Sequence, residues 1–184
     1  MQNRLICQTD SSQLVIIDMQ ERLAGAMPAE DMQQVMKNSA ILLQAAAQLE
    51  VPVIHTEQYP KGLGPTCTAL LPLLPAPAVN KTAFSCCDEP NFQCKLAGDR
   101  PQVILAGMEA HICVLQTALA LQEHGRQVFI VEDAVLSRNP LNKANALARL
   151  RQAGIIVSNT ESVLFEWLGK AEGDTFKTLS KLIR

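Results

Sequence analysis

Residues Gln102–Asp133 read QVILAGMEAHICVLQTALALQEHGRQVFIVED. "QVILAG" (Gln102–Gly107) is a short apolar run of strand length, and "QVFIVED" (Gln127–Asp133) is a second one. Between them, Ile112–His124 carries apolar residues at helical spacing and closes on Gly125, a residue suited to the left-handed position after a helix. Strand, helix and strand in this order form a right-handed crossover unit with parallel strands. Strands this apolar are covered on both faces.

The same alternation extends both ways. Upstream, "QLVIID" (Gln13–Asp18) is a strand, and Asp31–Leu49 reads as a helix through Met32, Val35, Met36, Ile41, Leu42, Ala45, Ala46 and Leu49. "VPVIHT" (Val51–Thr56) is a second strand, "EQYPKGLGPT" (Glu57–Thr66) a loop, "PAVN" (Pro77–Asn80) a short strand and Glu89–Gly98 a short helix. Cys67 opens a helical stretch after the long loop. Downstream, Asn142–Gln152 is a helix closed by Gly154, "IIVS" (Ile155–Ser158) a last strand, and Glu161–Leu168 and Asp174–Leu182 are helices. No repeat, linker or low-complexity tract interrupts the pattern. The expectation is one α/β domain over residues 1–184 with a mostly parallel sheet.

Composition narrows the function classes. The 184 residues hold 16 Lys+Arg and 18 Asp+Glu, for a net charge of −2, and are 48% hydrophobic and 18% charged. That is a core-forming chain, without the basic stripe of a nucleic-acid binder. No apolar run reaches the roughly 18 residues of a membrane span. Met1–Asp10 has no apolar leader region. The six cysteines, at 7, 67, 86, 87, 94 and 113, include no C-x-x-C, and a chain this core-rich needs no disulfide framework. Free thiols in a reducing, cytoplasmic setting are expected. There is no P-loop and no G-x-G-x-x-G, so no nucleotide cofactor is expected, and His55, His111 and His124 form no metal set.

In a parallel sheet, ligands bind beyond the carboxyl ends of the strands. Polar residues at predicted strand ends are therefore the site candidates. Asp18 ends the first strand and is either a helix cap or a catalytic acid. Gln20, two residues on, lines the same mouth or the surface. Lys81 follows the third strand and is either solvated or turned into the cleft. Cys113 stands where strand gives way to helix. There, unpaired N–H groups and the helix dipole favour thiolate, unless the thiol is simply packed. Acid, ammonium and thiol together make a nucleophilic set. His111, two residues from Cys113, is a rival base. The other five cysteines read as structural, with Cys86 and Cys87 near the pocket rim. Phe165, Trp167 and Leu168 offer apolar surface for packing or an interface.

The segments "VIIDMQ", "NKTAFS", "AGMEAHICVLQTALALQEHG" and "VFIVEDAVLSR" resemble, in order and spacing, those of the isochorismatase-like cysteine hydrolases. The resemblance runs from about Gln13 to Thr160, and "HTEQYPKGLGPT" is similar to the subgroup of isochorismatase domain-containing proteins. It implies a three-layer α/β/α, Rossmann-like fold with a six-stranded parallel sheet. It also implies an Asp-Lys-Cys triad at Asp18, Lys81 and Cys113, and a cis peptide joining Met108 and Glu109. That peptide would turn the Glu109 N–H toward the site, where the Glu109 and Cys113 N–H groups would hold an oxyanion. The family's nicotinamidases bind a metal through Asp and two His after the second strand. This chain has Glu57-Gln58-Tyr59 there, so no metal and no nicotinamidase activity are expected. True isochorismatases lack the nucleophilic cysteine that this chain carries, so vinyl-ether hydrolysis is not expected either. The loop "EQYPKGLG" would cover the cleft, with Tyr59, Leu63 and Phe84 as candidate substrate contacts. The resemblance further implies a homo-oligomer, a dimer or larger.

Three functional readings follow. The first is a hydrolase of a small amide or related carbonyl compound, working through a thioester on Cys113. The second is a catalytically silent interaction protein that keeps the fold. The third is a thiol redox protein, motivated by six cysteines but lacking the usual motif.

Overall fold

The computed structural model describes residues 5–75 and 77–183. The expectation of no leader in Met1–Asp10 falls partly on Met1–Arg4, outside the described residues.

Six strands form one sheet: β1 (Ser12–Ile17), β2 (Val53–Gln58), β3 (Val79–Lys81), β4 (Gln102–Met108), β5 (Gln127–Leu136) and β6 (Ile156–Ser158). Their order is β3-β2-β1-β4-β5-β6, and every pairing is parallel. The chain builds outward from β1 to β3, then returns to β4 on the other side of β1. The reversal of winding therefore falls between β1 and β4, where doubly wound sheets open a crevice at their carboxyl ends.

Alternation along the buried strands feeds two cores. Leu14 and Ile16 of β1, Ile104 and Ala106 of β4, and Phe129 of β5 pack on one face. That face is covered by α2 (Ala29–Gln48), α7 (Thr160–Leu168) and α8 (Gly173–Leu179). Val15, Ile17, Val103, Leu105 and Ile130 point the other way. They meet α4 (Pro90–Lys95), α5 (Leu115–Glu123) and α6 (Pro140–Gln152). The result is three layers, α/β/α.

Local chemistry explains the helix ends. The Asn139 and Asn159 side chains accept the N–H groups of Leu141 and Ser162 to cap α6 and α7. Pro140 occupies the first turn of α6. Gly125 takes φ +77° after α5, the left-handed value that a glycine reaches at low cost.

Several expectations need correction. Glu57–Thr66 is not all loop, since β2 runs to Gln58 and Pro60–Leu63 forms one helical turn, α3. A further short turn, α1 (Glu21–Ala24), follows β1. Cys67 opens no helix: its N–H closes on Met19 O (2.7 Å), and the helical piece is a 3-10 turn at Leu71–Leu73. The fourth strand is followed by a π-turn, Ala110–Val114, before α5 begins. β5 continues past Asp133 to Leu136, with its register against β4 shifted between Leu105 and Gly107. Such irregularities recur beside active sites because they re-aim the residues that follow. Of the packing and interface readings for the C-terminal segment, packing holds for Trp167, which donates its indole N–H to Ser12 Oγ (3.0 Å), while Phe165 stays partly exposed against Phe176.

Candidate active site

Asp18 lies one residue beyond β1 with φ +51°, and its carboxylate is fully buried. Lys81, the last residue of β3, stands two strand spacings away, about 10 Å of sheet. Its long stem crosses that gap, and Nζ lies 2.8 Å from Asp18 Oδ2, both side chains being shielded from solvent. The ammonium also donates to Gln58 Oε1 (2.5 Å), Ala83 O and Phe84 O (both 3.2 Å). Burial, the largest single effect, lowers the Lys81 pKa, but the charge and hydrogen bond of Asp18 together with Cys86 and Cys113 carry the net shift upward. The lysine is therefore a fixed cation.

Cys113 sits in the π-turn after β4 with 6% exposure. Its thiol bears on both members of the pair. Burial pushes its pKa up first; the charge of Asp18 and a hydrogen bond to it push further, and Lys81 pulls back. The outcome is about 12. The structure thus unites Asp18, Lys81 and Cys113, but corrects the expectation of a resident thiolate: desolvation and the nearby carboxylate outweigh the pull of the helix start.

The Met108–Glu109 peptide is cis. The Glu109 N–H donates to no acceptor among the described residues. Its carboxylate, 5% exposed, accepts the Arg138 N–H (2.9 Å) and Nε, and pairs with Arg138 Nη2 (3.1 Å). Glu109 thereby ties the turn after β4 to the turn after β5. His111 is no base for Cys113. Its Nδ1 lies 2.9 Å from Ser137 Oγ and its Nε2 3.3 Å from Asn142 Nδ2, so the ring is held toward α6.

Gln20 also differs from expectation. Its fully buried amide accepts the Gln58 N–H (2.8 Å) and donates to Gln58 O (3.1 Å) and Gly64 O (2.7 Å), leaving nothing for a substrate. It pins both ends of the Tyr59–Leu63 segment. Tyr59 itself is 55% exposed, and its ring lies where a Cβ on Gly62 would stand, 2.5 Å from Cδ1. A cleft of about 360 Å³ opens between Tyr59, Lys61, Asn80, Lys81 and Glu89. Leu63 is half-buried, and Phe84 is exposed above the lysine that its carbonyl binds.

Sequence reasoning missed Thr56 and Gln58. Thr56 Oγ1 donates to Asp18 Oδ1 (2.7 Å) and Gln58 holds Lys81. The available signal was their place: alternate residues of the one strand lying between the acid and the lysine. Cys86 is fully buried behind Thr56 rather than at a rim, and Cys87 is buried beside it. Among the described residues, no group of three or more His, Cys, Asp or Glu is placed to hold a metal ion. Glu57 instead accepts the Thr66 N–H and hydroxyl (2.7 Å each). No helix among the described residues is long and apolar enough to cross a membrane.

An isochorismatase domain model matches residues 12–162, a span that contains every residue of this site. The chain belongs to the isochorismatase family. A Danio rerio relative described as isochorismatase domain-containing protein 2 is 42% identical to this isochorismatase-family chain over 179 residues, 95% of the chain and 88% of the relative. The Homo sapiens protein of the same description is 39% identical, covering 95% and 83%. A solved structure from Caenorhabditis elegans, described as MAR1 ribonuclease, superimposes with a TM-score of 0.90 at 37% identity, over 97% of this chain and 92% of that one. The Escherichia coli YcaC protein, described as an octameric hydrolase of unknown specificity, shares the fold with a TM-score of 0.88 at 24% identity, over 96% and 90%. The fold of this family member is thus that of the isochorismatase-type hydrolases.

Proposed function

We propose that the chain is a cysteine hydrolase acting on a small amide or related carbonyl compound through Asp18, Lys81 and Cys113. The observation that carries this reading is the fully shielded Asp18–Lys81 pair bearing on a thiol at the switch point of the sheet.

With the thiol pushed up to about 12, attack needs a base at the moment of bond formation. The Cys113 proton passes to Asp18 as the S–C bond forms. The carbonyl oxygen becomes an oxyanion, received by the N–H groups of Glu109 and Cys113. Removal of one such donor typically costs ~10²–10³ in rate. As the tetrahedral species collapses, the C–N bond breaks and the amine leaves with the proton from Asp18. Water then attacks the thioester, giving the acid and restoring the thiol. Lys81 holds the Asp18 carboxylate oriented between steps. Tyr59, Leu63 and Phe84 would line the acyl side.

Six free cysteines, five of them buried, fit a reducing compartment, and we place the protein in the cytoplasm. Leu141 at 75% and Phe84 at 54% exposure supply apolar surface for self-association into a homo-oligomer, which light scattering measures.

The test is a turnover screen of small primary amides with wild type, Asp18→Asn and Cys113→Ala. Hydrolysis by wild type alone is expected; hydrolysis retained by Cys113→Ala overturns the reading. A second arm offers RNA, because the C. elegans neighbour is described as a ribonuclease. The net charge of −2 gives no grip on phosphates, and no cleavage is expected.

A further inference from the structure

We propose that Thr56 and Cys86 form a two-link donor chain that fixes one oxygen of Asp18 and reserves the other for the thiol proton. Both are positioning residues, and the inference rests on the base role given to Asp18 above.

The links are geometric. Thr56, on β2 beside β1, donates its hydroxyl hydrogen to Asp18 Oδ1 at 2.7 Å. That hydroxyl oxygen accepts the Asp18 N–H (3.3 Å) and lies 4.0 Å from Cys86 Sγ, within the reach of a sulfur donor, so the two donors together point the rotor at the acid. Cys86 is held there in turn, since its N–H donates to Thr117 Oγ1 (2.9 Å), one turn beyond Cys113 on α5. All four groups, Asp18, Thr56, Cys86 and Thr117, are essentially solvent-free.

The other oxygen is different. Asp18 Oδ2 is buried and its partner is the Lys81 ammonium, 2.8 Å away, which leaves a lone pair for the thiol that bears on the same carboxylate. Without the Thr56 donor the carboxylate could rotate and present either oxygen to the thiol. With it, Oδ1 is committed and Oδ2 faces the incoming proton. The titratable groups bearing on Asp18 are Lys81 at the end of β3, Cys86 in the 3-10 turn Cys86–Asp88 and Cys113 in the π-turn. Cys86 stays protonated at neutral pH because burial pushes it up to about 12, so it remains a donor.

The experiment compares Thr56→Val, which keeps the shape and deletes the hydroxyl, with Thr56→Ser, which keeps the hydroxyl. Iodoacetamide alkylation of Cys113, mapped by mass spectrometry at neutral pH, reports thiol activation and needs no substrate. Without the fixed carboxylate, Thr56→Val should slow alkylation of Cys113 by at least about tenfold. Thr56→Ser should restore the wild-type rate. Cys86→Ala, which leaves the hydroxyl in place, should slow it by less. Wild-type rates in both Thr56→Val and Cys86→Ala overturn the chain. A slowed rate in a protein that hydrolyses no amide leaves the chain standing and removes the hydrolase reading.

Discussion

Lys81 Nζ and Asp18 Oδ2 lie 2.8 Å apart, carried by strands that are not neighbours and shielded completely from solvent. A buried pair of this kind adds little net stability, because desolvation offsets the Coulomb gain, but breaking it strands a charge. Lys81→Met should destabilise the fold by about 3–5 kcal/mol. Adding Asp18→Asn to that variant should recover most of the loss. Urea unfolding of the two single variants and the double variant checks this, and additive losses would contradict it.

Gly107 sits opposite Ile17 where the two site-bearing strands meet. A Cβ there would stand 2.0 Å from the Ile17 carbonyl oxygen, and the residue has φ +119°. Gly107→Ala should cost on the order of 3 kcal/mol or more, since neither the backbone angle nor the neighbouring carbonyl can adjust cheaply. A thermal melt of the variant is the measurement, and an unchanged midpoint would show that β1 and β4 can separate.

Stability should fall at alkaline pH. The thiols of Cys113 and Cys86 are pushed to about 12 and those of Cys67 and Cys87 to about 11, from 9.0, chiefly by burial. Between pH 9 and these values the unfolded chain releases protons that the folded chain keeps. The stability these groups contribute is therefore complete below pH 9 and lost as pH rises toward 11–12. His55 works at the other end. Burial lowers its pKa from 6.5, so its contribution is present above that value and is lost as pH falls below it. Melting midpoints should form a plateau between these limits, and a rise above pH 9 would contradict the assignment.

The Glu109–Arg138 link should matter more to rate than to stability. Arg138 is 59% exposed, so solvent screening holds the pair's worth to under about 1 kcal/mol. Yet it fixes the residue whose N–H is assigned to the oxyanion. Arg138→Met should lower turnover at least about tenfold while moving the melting midpoint by no more than about 4 °C. Equal losses in both would make the link purely structural.

The fold was legible because its strands are short, apolar runs punctuated by helices with Gly and Asn at their ends. The three polar residues at strand ends were legible for the same reason: Asp18, Lys81 and Cys113 break apolar context at places where ligands bind. What was not legible depended on side-chain direction. Gln20 follows Asp18 so closely that it reads as lining the mouth, but its amide turns back to hold Gln58 and Gly64. His111 neighbours Cys113 in sequence, but the π-turn aims it at Ser137. The thiol's protonation state hid for another reason: local placement favours thiolate, while its burial and the charge of Asp18, visible only in three dimensions, favour the thiol. Thr56 carried no signal beyond its place on the middle strand.

The most direct test of the central claim is an acid quench during turnover of an amide that the protein hydrolyses, followed by peptide mass mapping. The account predicts an acyl mass on the Cys113 peptide, absent from Cys113→Ala, and released as a hydroxamate by hydroxylamine. Acyl label confined to the exposed Cys94, or turnover that persists in Cys113→Ala with no label, would contradict it.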